Sequence, residues 1–317
     1  MKTIYLKKQT ERLLPCVATI GFFDGVHLGH RYIIDKVVAT ARREGMLSTI
    51  VTFARHPRQV LCPQWSPQLL STLDEKVALL SETGIDQLVV LPFDEAMAAL
   101  SARDFMLLMQ ERLGVKVLMT GYDNRFGHHR HETFEDYVRY GEEIGMEVKQ
   151  LPAVSQKLKA KSQKPEISSS LVRNLLAEGN VSEAMECLSY PYRLTGKVVK
   201  GEHIGTTLGF PTANLQVNDS RKLIPAPGVY AVTCKKSTTN SQRLLGMMNI
   251  GTRPTFGTHT QTLEVHLLDY EGDLYGKEIT VNFIKRLREE RRFDNEEELK
   301  TQLKEDADSV HSLEFIV

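Results

Sequence analysis

The chain has 317 residues, 41% apolar and 25% charged, with 40 basic side chains against 40 acidic ones. That length exceeds what one hydrophobic core ordinarily serves, so two domains are expected. A formal charge of zero makes no electrostatic case for a nucleic-acid or membrane partner, which leaves small molecules held by local sites.

The N-terminal stretch carries Lys2, Lys7, Lys8 and Arg12 without an apolar segment of signal-peptide type, and no apolar run approaches the roughly 18 residues of a membrane span. Cys16, Cys62, Cys187 and Cys234 are scattered, with no Cys-x-x-Cys pair. Reduced thiols and a cytoplasmic location are therefore expected, rather than a disulfide framework or a zinc site. Oligomeric state is open at this level.

Cys16 to Ile20 is a short apolar run that reads as a buried strand, while Ile33, Ile34, Val37, Val38 and Ala41 recur at helical spacing. The connecting stretch Gly21-Phe22-Phe23-Asp24-Gly25-Val26-His27-Leu28-Gly29-His30 is thus a strand-to-helix turn with glycines and two histidines at its crest. Glycines admit close backbone approach, and the amides of a helix start favour an anion. His27 and His30 share one face of the helix entry and can address one phosphate group together. Such a crest suits attack on a nucleotide phosphate, where fixed donors stabilise growing charge on oxygen.

Strands alternating with helices follow. Leu47 to Phe53 is β-branched, and Ser71-Thr72-Leu73-Asp74-Glu75 forms a capping box opening a helix through Leu80. Strands at Leu88 to Leu91, Val117 to Met119 and Glu147 to Leu151 flank helices at Ser101 to Leu113 and Thr133 to Ile144. Apolar strands with intervening helices imply a parallel sheet covered on both faces, with ligands at the strands' carboxyl ends. Three further stretches converge on that edge: Thr52-Phe53-Ala54-Arg55-His56-Pro57-Arg58 and Gly121-Tyr122-Asp123-Asn124-Arg125-Phe126-Gly127 leave strand ends, and Ile167-Ser168-Ser169-Ser170-Leu171-Val172-Arg173 starts a helix. The serines serve as N-caps or, with Arg173, as a triphosphate cradle. The lysine-bearing segment from Ser155 to Pro165 reads as a solvated loop, with a lid over the triphosphate as the alternative.

After a helix at Val181 to Leu188 the period changes to short strands: Gly228 to Val232, Leu244 to Ile250, Leu263 to Leu267 and Ile279 to Ile284, with a last amphipathic helix from Asn295 to Val310. This predicts an antiparallel barrel with one C-terminal helix and a boundary near Tyr190-Pro191, giving domains 1–188 and 189–317. Gly201, Gly205 and Gly209 outline a loop able to wrap phosphates, ahead of Pro211, and Thr212 and Asn214 offer neutral oxygens to a magnesium ion already bound by phosphate. On Thr262-Leu263-Glu264-Val265-His266-Leu267, period two puts Glu264 and His266 opposite the apolar face. Glu264 is either part of a solvated face or a general base for a hydroxyl.

The first four stretches, taken in order, resemble the signature set of the nucleotidyltransferase superfamily in the form carried by bacterial FMN adenylyltransferases. Arg55, Asn124 and Ser170 stand where that pattern has a proline, an aromatic residue and a threonine. Leu208 to Leu215, Pro225 to Tyr230, Asn249 to Thr255, Glu264 to Leu267, Asp273 to Gly276 and Leu287-Arg288 resemble the riboflavin kinase module, with Thr206 where many members carry arginine.

The resemblance implies a Rossmann-like α/β domain followed by a kinase barrel, and a bifunctional enzyme that uses ATP to make FMN from riboflavin and then FAD from FMN. It implies that His27, His30 and Glu264 are catalytic. Gly21, Phe23, Gly29, Ser168, Ser169 and Arg173 would bind ATP for adenylyl transfer, with Phe53, Asp123 and Asn124 toward the flavin. In the kinase, Gly201, Gly205, Gly209 and Pro211 would bind ATP, Arg288 and Phe293 the flavin, and Thr212 and Asn214 magnesium. A nucleotidyltransferase with another acceptor, and a flavin-binding protein that has lost catalysis, are the rival readings.

Overall fold

The computed structural model describes residues 1–7, 9, 11–62, 64–66, 68–122, 124–128, 132–153, 166–200, 209–236, 243–255 and 258–313, apart from the side chains of 252–255 and 258–260. Asp123, Gly201, Gly205, Thr206 and the lysine-bearing segment from Ser155 to Pro165 lie outside the described residues. By contacts the chain forms two compact units, Met1–Ser169 and Ser170–Val317.

The first unit is a six-stranded parallel sheet. Its strands are β1 (Lys2–Tyr5), β2 (Cys16–Ile20), β3 (Leu47–Phe53), β4 (Gln87–Leu91), β5 (Val115–Gly121) and β6 (Glu147–Leu151), in the spatial order β1-β4-β3-β2-β5-β6. β2 and β4 are buried along their whole length, as the continuous apolar runs require. Helices α1 (Leu28–Glu44), α2 (Pro57–Leu61), α3 (Leu73–Ser81), α4 (Glu95–Ala98), α5 (Ala102–Leu113) and α6 (Phe134–Ile144) connect them.

Local chemistry sets the helix ends. The Thr72 and Thr133 hydroxyls each accept from the third backbone amide of their helix, and Glu75 and Asp136 reach back to the capping amides. Gly45, Gly114 and Gly145 end α1, α5 and α6 in the left-handed conformation.

The strand order reverses at β2, which pairs with β3 on one side and β5 on the other. A crevice opens at such a switch point, beyond the carboxyl ends of the strands. The stretches that begin at Thr52 and Gly121 leave from those ends of β3 and β5. β1, which composition does not mark, adds a parallel edge on β4.

The second unit begins with α7 (Ser169–Ala177), whose first residue still counts with the sheet, and α8 (Val181–Leu188). A closed barrel follows, made of β7 (Arg193–Val199), β8 (Ala213–Val217), β9 (Gly228–Lys236), β10 (Leu244–Thr255), β11 (Thr258–Leu267) and β12 (Glu278–Arg288), in the order β10-β11-β8-β7-β12-β9. Helix α9 (Glu296–His311) packs on it through Val310.

The alternation on β7 and β12 buries Leu194, Val198, Ile279, Val281 and Phe283 inside. α7 and α8, placed by sequence before the boundary, bond to this unit: Ala226 N donates to Leu176 O at 3.0 Å and Ser182 Oγ to Ile284 O at 3.0 Å. Closure removes the sheet edges that open antiparallel sheets must protect.

Candidate functional sites

The turn after β2 is strained and bolted down. Phe23, Gly25 and Val26 have φ of 53°, 75° and 39°, a region a β-branched residue adopts only under constraint. The constraint is Asp24, buried and accepting from the Leu70 amide at 3.0 Å, the Ser71 amide at 2.9 Å and the Ser71 hydroxyl at 3.3 Å. Ser71 Oγ in turn accepts from the Gly25 amide at 2.9 Å. The motif's aspartate is therefore a clamp on the backbone.

That clamp presents the two histidines. His27 caps α1, its Nδ1 accepting from the His30 amide at 3.4 Å. The imidazoles stack with centroids 3.6 Å apart and 19° between planes. Phe23, buried, meets the His30 ring edge-on at 5.0 Å. His30 Nδ1 is buried without a hydrogen-bond partner among the described residues. Burial, then the neighbouring His27 and Lys76, hold the His30 pKa well below the ordinary 6.5, so the ring is neutral. Gly29 is required for close approach: a Cβ there would lie 3.2 Å from the His27 ring and 3.2 Å from the Ile167 carbonyl.

Ile167 belongs to the serine stretch, and Ser169 Oγ donates to the Asp24 carbonyl at 3.0 Å. Ser169 is thus anchored to the histidine turn. Arg173 stands one turn into α7, on the same helix face as Ser169.

Beside the turn, a cavity of about 270 Å³ opens at the carboxyl ends of the strands. Gly21, Phe22, Phe53, His56, Phe93 and Asn124 are among its walls. Phe53 and Phe93 meet edge-on at 5.2 Å, and Phe22 faces His56 at 4.6 Å. The Asn124 amide donates to the Ile20 carbonyl, so this departure from the motif holds the end of β2 while lining the cavity.

His56, whose ring lies 4.8 Å from that of Trp65, stood in a noted stretch without an assigned role. Trp65 and the buried Lys76 carried no sequence signal, because a lone tryptophan in a loop and a lysine in a helix are ordinary surface residues.

On the barrel, register places Glu264 directly opposite Asn214 of β8 and Asn249 of β10. Leu263, Val265 and Leu267 are buried while Glu264 and His266 are partly exposed, so the carboxylate lies on the outer face as period two predicts. His266 Nδ1 is bonded to the Pro211 carbonyl at 2.8 Å and fixes the turn that carries Thr212. A cavity of about 490 Å³ at the barrel mouth takes in Pro211, Thr212 and Asp273, but neither Asn214 nor Glu264 lines it. Gly209, with φ of 84°, is exposed ahead of Pro211.

Arg288 is engaged with Asp306 of α9, at 2.9 Å between Nη2 and Oδ2, and its guanidinium lies 5.6 Å from the Phe293 ring. Phe293 lines a shallow hollow with Arg291 and Gln302, from which Arg288 is absent.

Among the described residues no three His, Cys, Asp or Glu side chains group to hold a metal. Thr212 and Asn214 contribute a hydroxyl and an amide oxygen, a donor set that fits magnesium arriving with phosphates but not a metal held by protein alone.

A parallel sheet with a histidine turn at its switch point, joined to a closed barrel, describes a two-part transferase. The family model for FAD synthetase matches residues 9–170 and that for riboflavin kinase matches residues 188–313. The chain belongs to the bifunctional riboflavin kinase/FMN adenylyltransferase family. It is 38% identical over 292 residues to the enzyme of that name from Escherichia coli K12, covering 92% of this chain and 90% of that one.

It is also 33% identical over 314 residues to the Bacillus subtilis enzyme of the same name, covering 96% of each. A Streptococcus pneumoniae crystal structure described as a macrolide-efflux protein superposes with a TM-score of 0.88 at 30% identity, over 99% of this chain and 100% of that one. Among the described residues of this chain, no helix is long and apolar enough to cross a membrane. The chain phosphorylates riboflavin to FMN and adenylylates FMN to FAD, with ATP as co-substrate in both reactions.

Proposed function

We propose that the histidine turn performs adenylyl transfer and the Glu264 face performs phosphorylation, with residues 1–188 serving the first reaction and 189–317 the second. The observation that carries the first assignment is the stacked His27/His30 pair beside an aromatic cavity at the switch point. An FMN phosphate oxygen attacks the α-phosphorus of ATP, a new P–O bond forms, and the bond to pyrophosphate breaks. His27 and His30 donate to the α-phosphate oxygens as charge grows there. The neutral His30 ring gains proton affinity once a triphosphate lies beside it, because the anion favours the imidazolium.

Ser168, Ser169 and Arg173 hold the β- and γ-phosphates; Phe53 and Asn124 border the flavin, and Asp123 orients the substrate. No covalent intermediate is needed, since the FMN phosphate is itself the nucleophile.

In the kinase reaction Glu264 accepts the proton of the ribityl hydroxyl while that oxygen attacks the γ-phosphorus; the new P–O bond forms as the bond to the ADP oxygen breaks, and ADP leaves. Register supports this, because Asn214 stands opposite the carboxylate. Thr212 and Asn214 would hold a magnesium ion together with the phosphates, and the ion would neutralise charge on the transferred group. Gly209 and Pro211, with Gly201 and Gly205, border ATP; Phe293 borders the flavin, with Arg288 holding that region in place. A cytoplasmic location suits the buried free Cys16, Cys187 and Cys234.

Reciprocal variants test the division. Glu264→Gln is expected to abolish FMN formation and leave FAD formation from supplied FMN, and His30→Ala to do the reverse. Loss of both activities from either folded variant would refute the two-site assignment.

A further inference from the structure

Beneath the histidine turn, Lys76 of α3 is buried, with 2% of its surface exposed. Its ammonium donates to the Phe22 carbonyl at 2.9 Å, to Thr52 Oγ1 at 3.3 Å and to the Phe53 carbonyl at 3.4 Å. Phe22 lies just past the end of β2 and Phe53 ends β3, so one cation spans the carboxyl ends of two adjacent strands. The same ammonium stands 4.0 Å from the centroid of the Phe22 ring. Phe22 and Phe53 are both walls of the aromatic cavity. Burying an ammonium is costly, and an apolar side chain of similar length would fill the same space without that cost. What only the cation adds is a set of charged bonds to the backbone that carries the site.

We propose that Lys76 is a positioning residue for adenylyl transfer, its ammonium locking the start of the histidine turn to the end of β3 so that His27, His30 and the flavin-facing walls keep one geometry. The inference rests on reading His27 and His30 as the groups that act on the α-phosphate. The charged and polar groups facing the ammonium are the Phe22 and Phe53 carbonyls, the Thr52 hydroxyl, the Asp24 carboxylate and His30. Burial lowers the Lys76 pKa to about 8, with Asp24 opposing the shift. The cation is therefore present at neutral pH and lost as pH rises through that value. The neutral amine then has two N–H donors for three acceptors and no charge.

The test is FAD formation from supplied FMN by the full chain, measured as kcat and KM against pH. In the wild type kcat is expected to fall as pH rises through about 8. Lys76→Met is expected to lower kcat about 10- to 100-fold, the scale of a small misplacement of reacting groups, with KM for FMN changed much less. Its remaining rate has no alkaline limb near pH 8.

Lys76→Arg keeps a charge that does not titrate, so its alkaline limb moves beyond about pH 9 whatever its absolute rate. Trp65, the sole tryptophan, reports whether this unit is folded. If Lys76→Met fails to fold, Lys76→Arg decides. A folded Lys76→Met with wild-type kcat, or a Lys76→Arg limb still near pH 8, overturns the proposal. If His30→Ala also leaves FAD formation intact, the underlying site assignment fails as well; if His30→Ala abolishes it, only the role of Lys76 fails.

Discussion

Asp24→Asn isolates the clamp under the histidine turn. The wild-type carboxylate sits 3% exposed and takes the Leu70 amide at 3.0 Å on both oxygens, with the Ser71 amide at 2.9 Å on one of them. Asparagine keeps the shape and one acceptor, but turns an NH₂ toward an amide donor and removes the charge. A hydrogen bond to a buried charged group contributes about 1.5–3 kcal/mol, and losing an acceptor strands the donor. For a unit of this size each kcal/mol moves the melting temperature by about 2–4 °C, so a fall of about 3–12 °C is expected.

Trp65 precedes the clamped segment, so its emission during thermal unfolding follows this unit alone. Positive φ at Val26 is held by the same clamp, so FAD formation should fall below the melting range while FMN formation is unchanged. An Asp24→Asn chain that melts within about 1 °C of wild type, with full FAD formation, would show that the turn holds its own conformation and that the clamp reasoning is wrong.

Gly29→Ala pushes a methyl group to 3.2 Å from the His27 ring and the Ile167 carbonyl, so FAD formation should drop about tenfold or more in steady-state assays with FMN formation intact. Arg288→Met leaves the Asp306 carboxylate, 3% exposed, with the Gln302 amide at 3.0 Å but without its cation. Breaking a buried pair costs about 3 kcal/mol, which denaturant unfolding followed by circular dichroism would register. His30 offers a linkage test. Its folded-state pKa lies below the ordinary 6.5, so as pH falls through 6.5 the unfolded chain takes a proton that the folded unit refuses, and stability declines. Relative to wild type, His30→Ala should flatten the stability profile below pH 6.5 by up to about 1.4 kcal/mol per pH unit. Profiles that stay parallel between about pH 5.5 and 7.5 would contradict the assigned shift.

The sequence by itself determined what depends on neighbours within a turn or two of chain. β3 and β6 fall at the bounds expected from the sequence, Leu47–Phe53 and Glu147–Leu151, and Thr72, Ser101 and Thr133 cap their helices because a cap needs only the next three residues. The histidine turn was legible because strand, glycines, histidines and helix lie in one continuous stretch, and the barrel because its short strands run between turn-forming residues.

Tertiary structure alone decided what depends on distant partners. Lys76 reads as a solvated helix lysine until the Phe22 carbonyl, 54 positions away, comes within 2.9 Å. Asp24 has no assigned role in the sequence, and only the amides of Leu70 and Ser71, which it accepts from, make it a clamp. The edge strand β1 is short and partly exposed, and only its pairing with β4 makes it a strand. Periodicity records which face a side chain shows, but a buried charge is licensed by the groups that fold around it, and those are far away along the chain.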